Sequence, residues 1–214
     1  MNTKKIMKIK ICGQNNPRII EQCLNLPIDY QGLIFYEKSP RNINFDTLKI
    51  INQYYSQFTN KFVGVFVNPT LQEIEDKLNT FDFQTIQLHG REDQNFINQV
   101  KSKFQKQIFK TLSPEAFIKN DFTNVDYFLI EGKPENDDQP GGNNKTWNWS
   151  EFSNPKNLPF ILSGGLNESN ILDAINLTGA SFVDINSGVE EKKGEKNLSL
   201  IDRLISSLKL NEKL

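Results

Sequence analysis

Short apolar runs and amphipathic segments alternate along this chain, and that alternation limits what it can fold into more than any other feature. Residues 8–13 (KIKICG), 32–36 (GLIFY), 61–67 (KFVGVFV), 85–90 (TIQLHG), 107–111 (QIFKT), 127–131 (YFLIE), 159–163 (PFILS) and 181–185 (SFVDI) read as strands. Between them, apolar residues recur at helical spacing. Ile19, Ile20, Cys23 and Leu24 form one such face, Leu71, Ile74 and Leu78 another, and Leu200, Ile201, Leu204 and Ile205 a third. Asn16-Pro17, Asn68-Pro69 and Ser113-Pro114 are helix-start signals. Buried strands alternating with amphipathic helices imply βαβ units and a parallel sheet. Eight such units fit a closed (βα)8 TIM barrel better than an open sheet, with residues 1–214 as a single domain. The chain is shorter than the ~250 residues usual for that barrel, which implies few insertions. The exception is a polar loop from Gly132 to about Trp149, which reads as a lid or a disordered segment.

Bulk composition narrows the function. The formal charge of −1 gives no basic surface for nucleic acid. No apolar run approaches the ~18 residues a membrane span needs, and no apolar segment follows the basic N-terminus as in a signal peptide. The expected location is cytoplasmic. Two cysteines, Cys12 and Cys23, make neither a disulfide framework nor a metal cluster, and a single histidine, His89, excludes a His-rich metal site.

In a barrel of this kind the chemistry sits at the C-terminal ends of the strands, with phosphate commonly bound after strands seven and eight. Gly164-Gly165 follows strand seven and Ser187-Gly188 follows strand eight. Glycines there let backbone N–H groups approach a phosphate, although a Gly-Gly pair is also an ordinary turn. The other strand ends supply Cys12, Arg41, His89, Glu131 and Asp184. Each has a plain alternative. Cys12 could be a packed small hydrophobe, Arg41 a solvated charge, and His89 or Asp184 a structural hydrogen-bonding group. Glu131 is harder to dismiss, since a carboxylate ending an apolar strand is either functional or paired. Cys23 belongs to a helical apolar face and reads as core.

Taken together, the segments KICG (10–13), GLIFYEKSPR (32–41), VGVFVN (63–68), IQLHG (86–90), GG with KTWNW (141–149), LSGGLN (162–167) and VDINSGVE (183–190) resemble the phosphoribosylanthranilate isomerase family. They occur in family order and span nearly the whole chain. The resemblance implies an Amadori rearrangement, in which an aminoaldose phosphate becomes an aminoketose phosphate, with a phosphorylated small molecule as partner and neither cofactor nor metal. It implies that Cys12 is the general base, that Arg41 holds the substrate carboxylate, and that the backbone of Gly164, Gly165, Ser187 and Gly188 holds the phosphate. His89 and Asp184, from their places at strand ends, and the loop glycines Gly141 and Gly142 complete the expected substrate contacts. Family members are monomers or homodimers.

The chain departs from the family pattern at the acid. Glu131-Gly132 stands where the family usually has Asp-Thr, which lengthens the acid by one methylene. The loop lacks a glycine and an aspartate of the family pattern, and Asp137 or Asp138 is an alternative acid. Asn186 replaces a common serine. Three functions are therefore compatible with the sequence. They are an isomerase with Glu131 as acid, a diverged barrel that binds a phosphorylated ligand with weak or no turnover, and a different phosphosugar enzyme on the same frame.

Overall fold

The computed structural model describes residues 7–132 and 146–211. Its eight parallel strands close into a barrel in sequence order: β1 (Lys8–Ile11), β2 (Tyr30–Phe35), β3 (Phe62–Phe66), β4 (Thr85–Leu88), β5 (Gln107–Leu112), β6 (Tyr127–Ile130), β7 (Phe160–Leu162) and β8 (Phe182–Ile185). The ring closes where β8 pairs with β1, in a register that sets Lys10 beside Asp184 and Ile11 beside Ile185. The expected (βα)8 architecture is the one observed.

The helices are α1 (Pro17–Leu24), α2 (Phe45–Tyr55), α3 (Leu71–Thr80), α4 (Gln94–Phe104), α5 (Pro114–Lys119), α6 (Ile171–Thr178) and α7 (Leu198–Asn211). Their starts are chemically specified. Asn16 accepts from Arg18 N ahead of Pro17, Asn44 accepts from Thr47 N, and Asp93 accepts from Phe96 N. Thr70 and Glu73 form a reciprocal capping box, so α3 begins after Thr70 and not at the Asn68-Pro69 signal. Two further features depart from a plain alternation of strand and helix. Among the described residues, β6 is followed by a single 3-10 turn (Trp149–Glu151) in place of a helix. In addition, β8 leads into a small antiparallel hairpin, β9 (Glu190–Lys192) with β10 (Glu195–Lys196), whose charged sequence carries no strand signal.

Strand parity builds two apolar layers. Ile9 and Ile11 of β1 point outwards and pack with Leu162, Val183, Ile185 and the buried faces of α6 and α7. The opposite parity fills the barrel itself. There Tyr30, Phe109, Tyr127 and Phe182 form an aromatic cluster with centroid separations of 5.3–6.0 Å. The Lys8 ammonium sits over it, 5.4 Å from the Tyr127 ring centroid. In β1 the alternation of Lys with Ile therefore runs opposite to a surface strand, with its lysines inside the barrel and its isoleucines under the helices.

Phe109 is fully buried at the centre of this cluster. Phe109→Ala is expected to cost about 3–5 kcal/mol, because the surrounding rings are fixed by their own strands and cannot collapse into the space. Urea unfolding of the two proteins measures it.

Candidate active site

At the C-terminal mouth of the barrel one depression is lined by Cys12, Ile34, Tyr36, Ser39, Arg41, Val65, Val67, His89, Glu131, Ser163, Asp184 and Asn186. Five of the residues singled out in the sequence thus meet on one surface: Cys12, Arg41, His89, Glu131 and Asp184. A larger cleft of about 630 Å³ lies alongside, between the segments after β2 and β3, and shares Tyr36 and Val67 with it. The larger cleft lies off the ring of strand ends, and the five candidates are all in the smaller depression.

Cys12 follows β1 directly and is anchored by its backbone N–H, which donates to Ile185 O at 2.9 Å. The side chain is buried. Burial pushes the thiol above its ordinary range, and the nearby Asp184 carboxylate adds to this. The charges of Lys10 and Lys196 act in the opposite direction.

Glu131 ends β6 opposite. Its Oε2 lies 3.1 Å from His89 Nε2, with both side chains largely enclosed. His89 is itself held from behind, with Nδ1 3.0 Å from Gln87 Nε2 and 3.1 Å from Thr111 Oγ1. An amide nitrogen can only donate, so the Gln87 contact to Nδ1 goes with the tautomer whose proton is on Nε2, the nitrogen that faces Glu131. His89 therefore orients the carboxylate. Its own loop is pinned by Glu92, which accepts from Asn68 N and Gly90 N and pairs with buried Lys110 at 2.8 Å.

Arg41 is buried, and its fork is already engaged. Nε and Nη2 each donate to Glu190 at 2.7 Å. Nη1 is the nitrogen that makes no bond to Glu190. Lys196 joins from β10 and donates to Glu190 at 2.6 Å and to Asn186 Oδ1 at 2.7 Å. Burial lowers Lys196 to about 8, against the pull of Glu190. Burial works against ionisation of Glu190 too, yet Arg41 and Lys196 outweigh it and hold the carboxyl down at about 2.

The glycine loops lie together. Gly164 and Gly165 take φ of +95° and +66°, a left-handed pair that side-chain-bearing residues rarely adopt. A Cβ on Gly188 would lie 1.9 Å from Leu166 O, so the segments after β7 and β8 are in direct contact. Trp147 donates through Nε1 to Ser163 O at 2.9 Å and so seats the returning chain against this corner. Gly141, Gly142, Asp137 and Asp138 lie outside the described residues.

Lys10, Gln87, Glu92, Lys110, Thr111, Glu190 and Lys196 went unnoticed in the sequence. Parity alone could have found two of them, since Lys10 and Gln87 each stand two residues before a candidate and share its face. Among the described residues no group of three or more His, Cys, Asp or Glu side chains is placed to hold a metal ion.

A parallel eight-stranded barrel with a thiol, a His-oriented carboxylate and paired glycine loops at its C-terminal mouth has the architecture of a (βα)8-barrel enzyme acting on a phosphorylated small molecule. Comparison with known proteins specifies it further. The family model of N-(5′-phosphoribosyl)anthranilate isomerase matches residues 9–207, and the chain belongs to that family. The N-(5′-phosphoribosyl)anthranilate isomerase of Legionella pneumophila (strain Paris) is 33% identical, over 97% of this chain and 99% of its own. Among solved structures, phosphoribosyl anthranilate isomerase from Thermotoga maritima is 28% identical with a TM-score of 0.76, covering 95% of this chain and 99% of that one. A phosphoribosyl anthranilate isomerase in complex with reduced 1-(o-carboxyphenylamino)-1-deoxyribulose 5-phosphate is 25% identical with a TM-score of 0.75, at the same coverage.

The depressed Glu190 predicts a pH signature. Its pairing stabilises the fold above pH 4.5, the ordinary value, and that contribution is lost as the pH falls towards 2. Glu190→Gln is expected to be less stable than the wild type at neutral pH, with the difference shrinking across that window. Thermal melts at a series of pH values test this.

Proposed function

We propose that this chain is a single-domain enzyme that converts N-(5′-phosphoribosyl)anthranilate into 1-(o-carboxyphenylamino)-1-deoxyribulose 5-phosphate, a step of tryptophan biosynthesis, with Cys12 as base and Glu131 as acid. The observation that carries this is the facing of a thiol and a carboxylate, from β1 and β6, across one depression whose rim holds Arg41.

The chemistry follows from that facing. Glu131 gives its proton to the ring oxygen of the ribose. The C1′–O bond breaks as the amine lone pair forms a C1′=N bond. The cation so produced makes the C2′ proton acidic. The Cys12 thiolate removes it, and the electron pair of the C2′–H bond becomes a C1′=C2′ double bond as the C1′=N pair returns to nitrogen and neutralises it. The resulting enol returns to a ketone as C1′ gains a proton and the C2′ hydroxyl loses one. The change is an internal redox isomerisation with no net gain or loss of protons. His89 keeps Glu131 aimed while the acid changes its protonation state.

Arg41 suits the substrate's carboxylate through Nη1. Its other two contacts, to Glu190, hold the guanidinium plane still, and this favours placement of the substrate over raw affinity. Backbone groups of Gly164, Gly165, Ser187 and Gly188 suit the phosphate, where the left-handed pair opens the backbone to an anion. Asp184 lies at the floor, where it lines the depression and pairs with Lys10. A cytoplasmic setting, with the protein acting as monomer or homodimer, is in keeping with two cysteines that are both free thiols. Among the described residues no helix is long and apolar enough to cross a membrane.

Cys12→Ala is expected to fold and to lose about 10²–10⁴-fold in kcat, the usual contribution of a positioned acid or base. Glu131→Gln is expected to fall in the same range. Loss of the anthranilate adduct's fluorescence reports turnover directly. Near wild-type rates in Cys12→Ala would overturn the base assignment. Tight binding of the reduced product analogue with no turnover in the wild type would favour a binding barrel over an enzyme.

A further inference from the structure

Among the charged groups inside the barrel that take no part in the steps above, Lys10 stands beside the proposed base. Lys10 is a fully buried lysine. Burying an ammonium costs several kcal/mol unless it is paired, and Asp184, its register partner on β8, lies 2.8 Å away. Bracing the β1–β8 seam would account for the pair alone. It does not account for where the ammonium points. A Cβ built on Gly32 would lie 2.7 Å from Cys12 Sγ and 3.2 Å from Lys10 Nζ, so thiol and ammonium converge on the one place in β2 that has no side chain. Strand parity enforces this, since Lys10 and Cys12 are two residues apart on the inward face of β1.

The surroundings are a closed set of charges. Lys10 on β1, Asp184 on β8 and Lys196 on β10 act on the Cys12 thiol. His89 on β4 and Glu131 on β6 act on Asp184. Glu190, and Arg41 from the lining of the same depression, act on Lys196. Within this set Lys10 is the cation in reach of both Cys12 and Asp184.

We propose that Lys10 is a positioning residue for catalysis: its ammonium, tethered by Asp184, turns towards Cys12 Sγ and stabilises the thiolate that takes the C2′ proton. Lys10 stays protonated throughout. When sulfur carries a proton, the ammonium is balanced by Asp184 alone. When sulfur is ionised, the ammonium is shared between two anions. In the abstraction step the C2′–H bond breaks, an S–H bond forms, and the ammonium relaxes onto Asp184. The physical need is specific. Burial is the largest influence on the thiol and works against its ionisation, and the Lys10 charge is the largest influence opposing burial. Burial and the Asp184 carboxylate act on Lys10 in opposite directions, and the balance leaves it above its ordinary value, so it is charged at neutral pH.

This assignment rests on Cys12 being the base, and the two can be tested apart. In a Cys23→Ser background Cys12 is the only thiol. The pH dependence of its alkylation by iodoacetamide, together with ultraviolet thiolate absorbance, reports its ionisation without any turnover. Lys10→Met is expected to raise the alkylation midpoint by about one pH unit or more, to move the acidic limb of kcat/KM by the same amount, and to lower kcat with little change in KM. Lys10→Arg keeps the charge and is expected to restore much of the shift. A folded Lys10→Met with an unmoved midpoint would overturn the proposal and leave Lys10 as a brace of the seam. If Lys10→Met does not fold, because Asp184 is left buried and unpaired, Lys10→Met with Asp184→Asn is read against Asp184→Asn alone, so that loss of the carboxylate, which itself raises the thiol, is common to both, and an equal midpoint in the two would overturn the proposal. Cys12→Ser that retains near wild-type turnover would sink the base assignment on its own, whatever the midpoint does.

Discussion

The 2.8 Å contact between Lys10 and Asp184 joins the first and last strands of the barrel, and both the closure and the site depend on it. Two opposite charges inside an apolar ring are tolerable only together. Removing one would strand the other at a cost of roughly 3–5 kcal/mol, although the intact pair adds little to stability beyond a well-packed apolar one. Its stronger effect is on specificity. The pair fixes which residue of β1 faces which residue of β8, and a slip by one residue would turn Cys12 towards the helices. The register that closes the ring is the register that delivers the thiol.

The same device recurs around the mouth. Glu92 and Lys110, both buried, tie the segments after β3 and β4 to β5 and hold the peptide that carries His89. Glu190, Arg41 and Lys196 tie the segment after β2 to the hairpin after β8. The Glu92–Lys110 and Arg41–Glu190 pairs each join different segments of the mouth, and each holds in place a residue proposed to meet the substrate. Loops position side chains less firmly than strands do, and a misplacement near 1 Å can cost about 10²-fold in rate. Buried, hydrogen-bonded ion pairs give these loops the definition that strand ends have. For Glu131, one methylene longer than the family's usual aspartate, the support comes from His89, which is itself braced by Gln87 and Thr111.

The fold was largely legible in the chain because its signals are local. Apolar strand runs, helical spacing and N-cap residues such as Asn16 and Ser113 are read over a few residues, and the structure uses those two caps where they occur. The signals failed where local chemistry was silent. Glu190 and Lys196 lie in a charged stretch with no apolar alternation, and nothing in it announces a hairpin. The expected helix after β6 was inferred from the count of repeats rather than from any periodicity, and among the described residues a 3-10 turn stands there.

Sequence alone therefore determined the barrel and the family, and it singled out strand-end residues that the fold brings to one depression, since each depends on residue order and periodicity. Tertiary structure decided the electrostatics. Arg41 and Glu190 are 149 positions apart and Lys10 and Asp184 are 174 apart, yet both pairs are in direct contact. Charge acts through space, and only closure of the ring brings those groups within its range. The lysines of KIKICG show the difference most clearly: in sequence they mark a strand with a polar face, and in the folded barrel that face is the inside, which sets a buried ammonium beside the thiol.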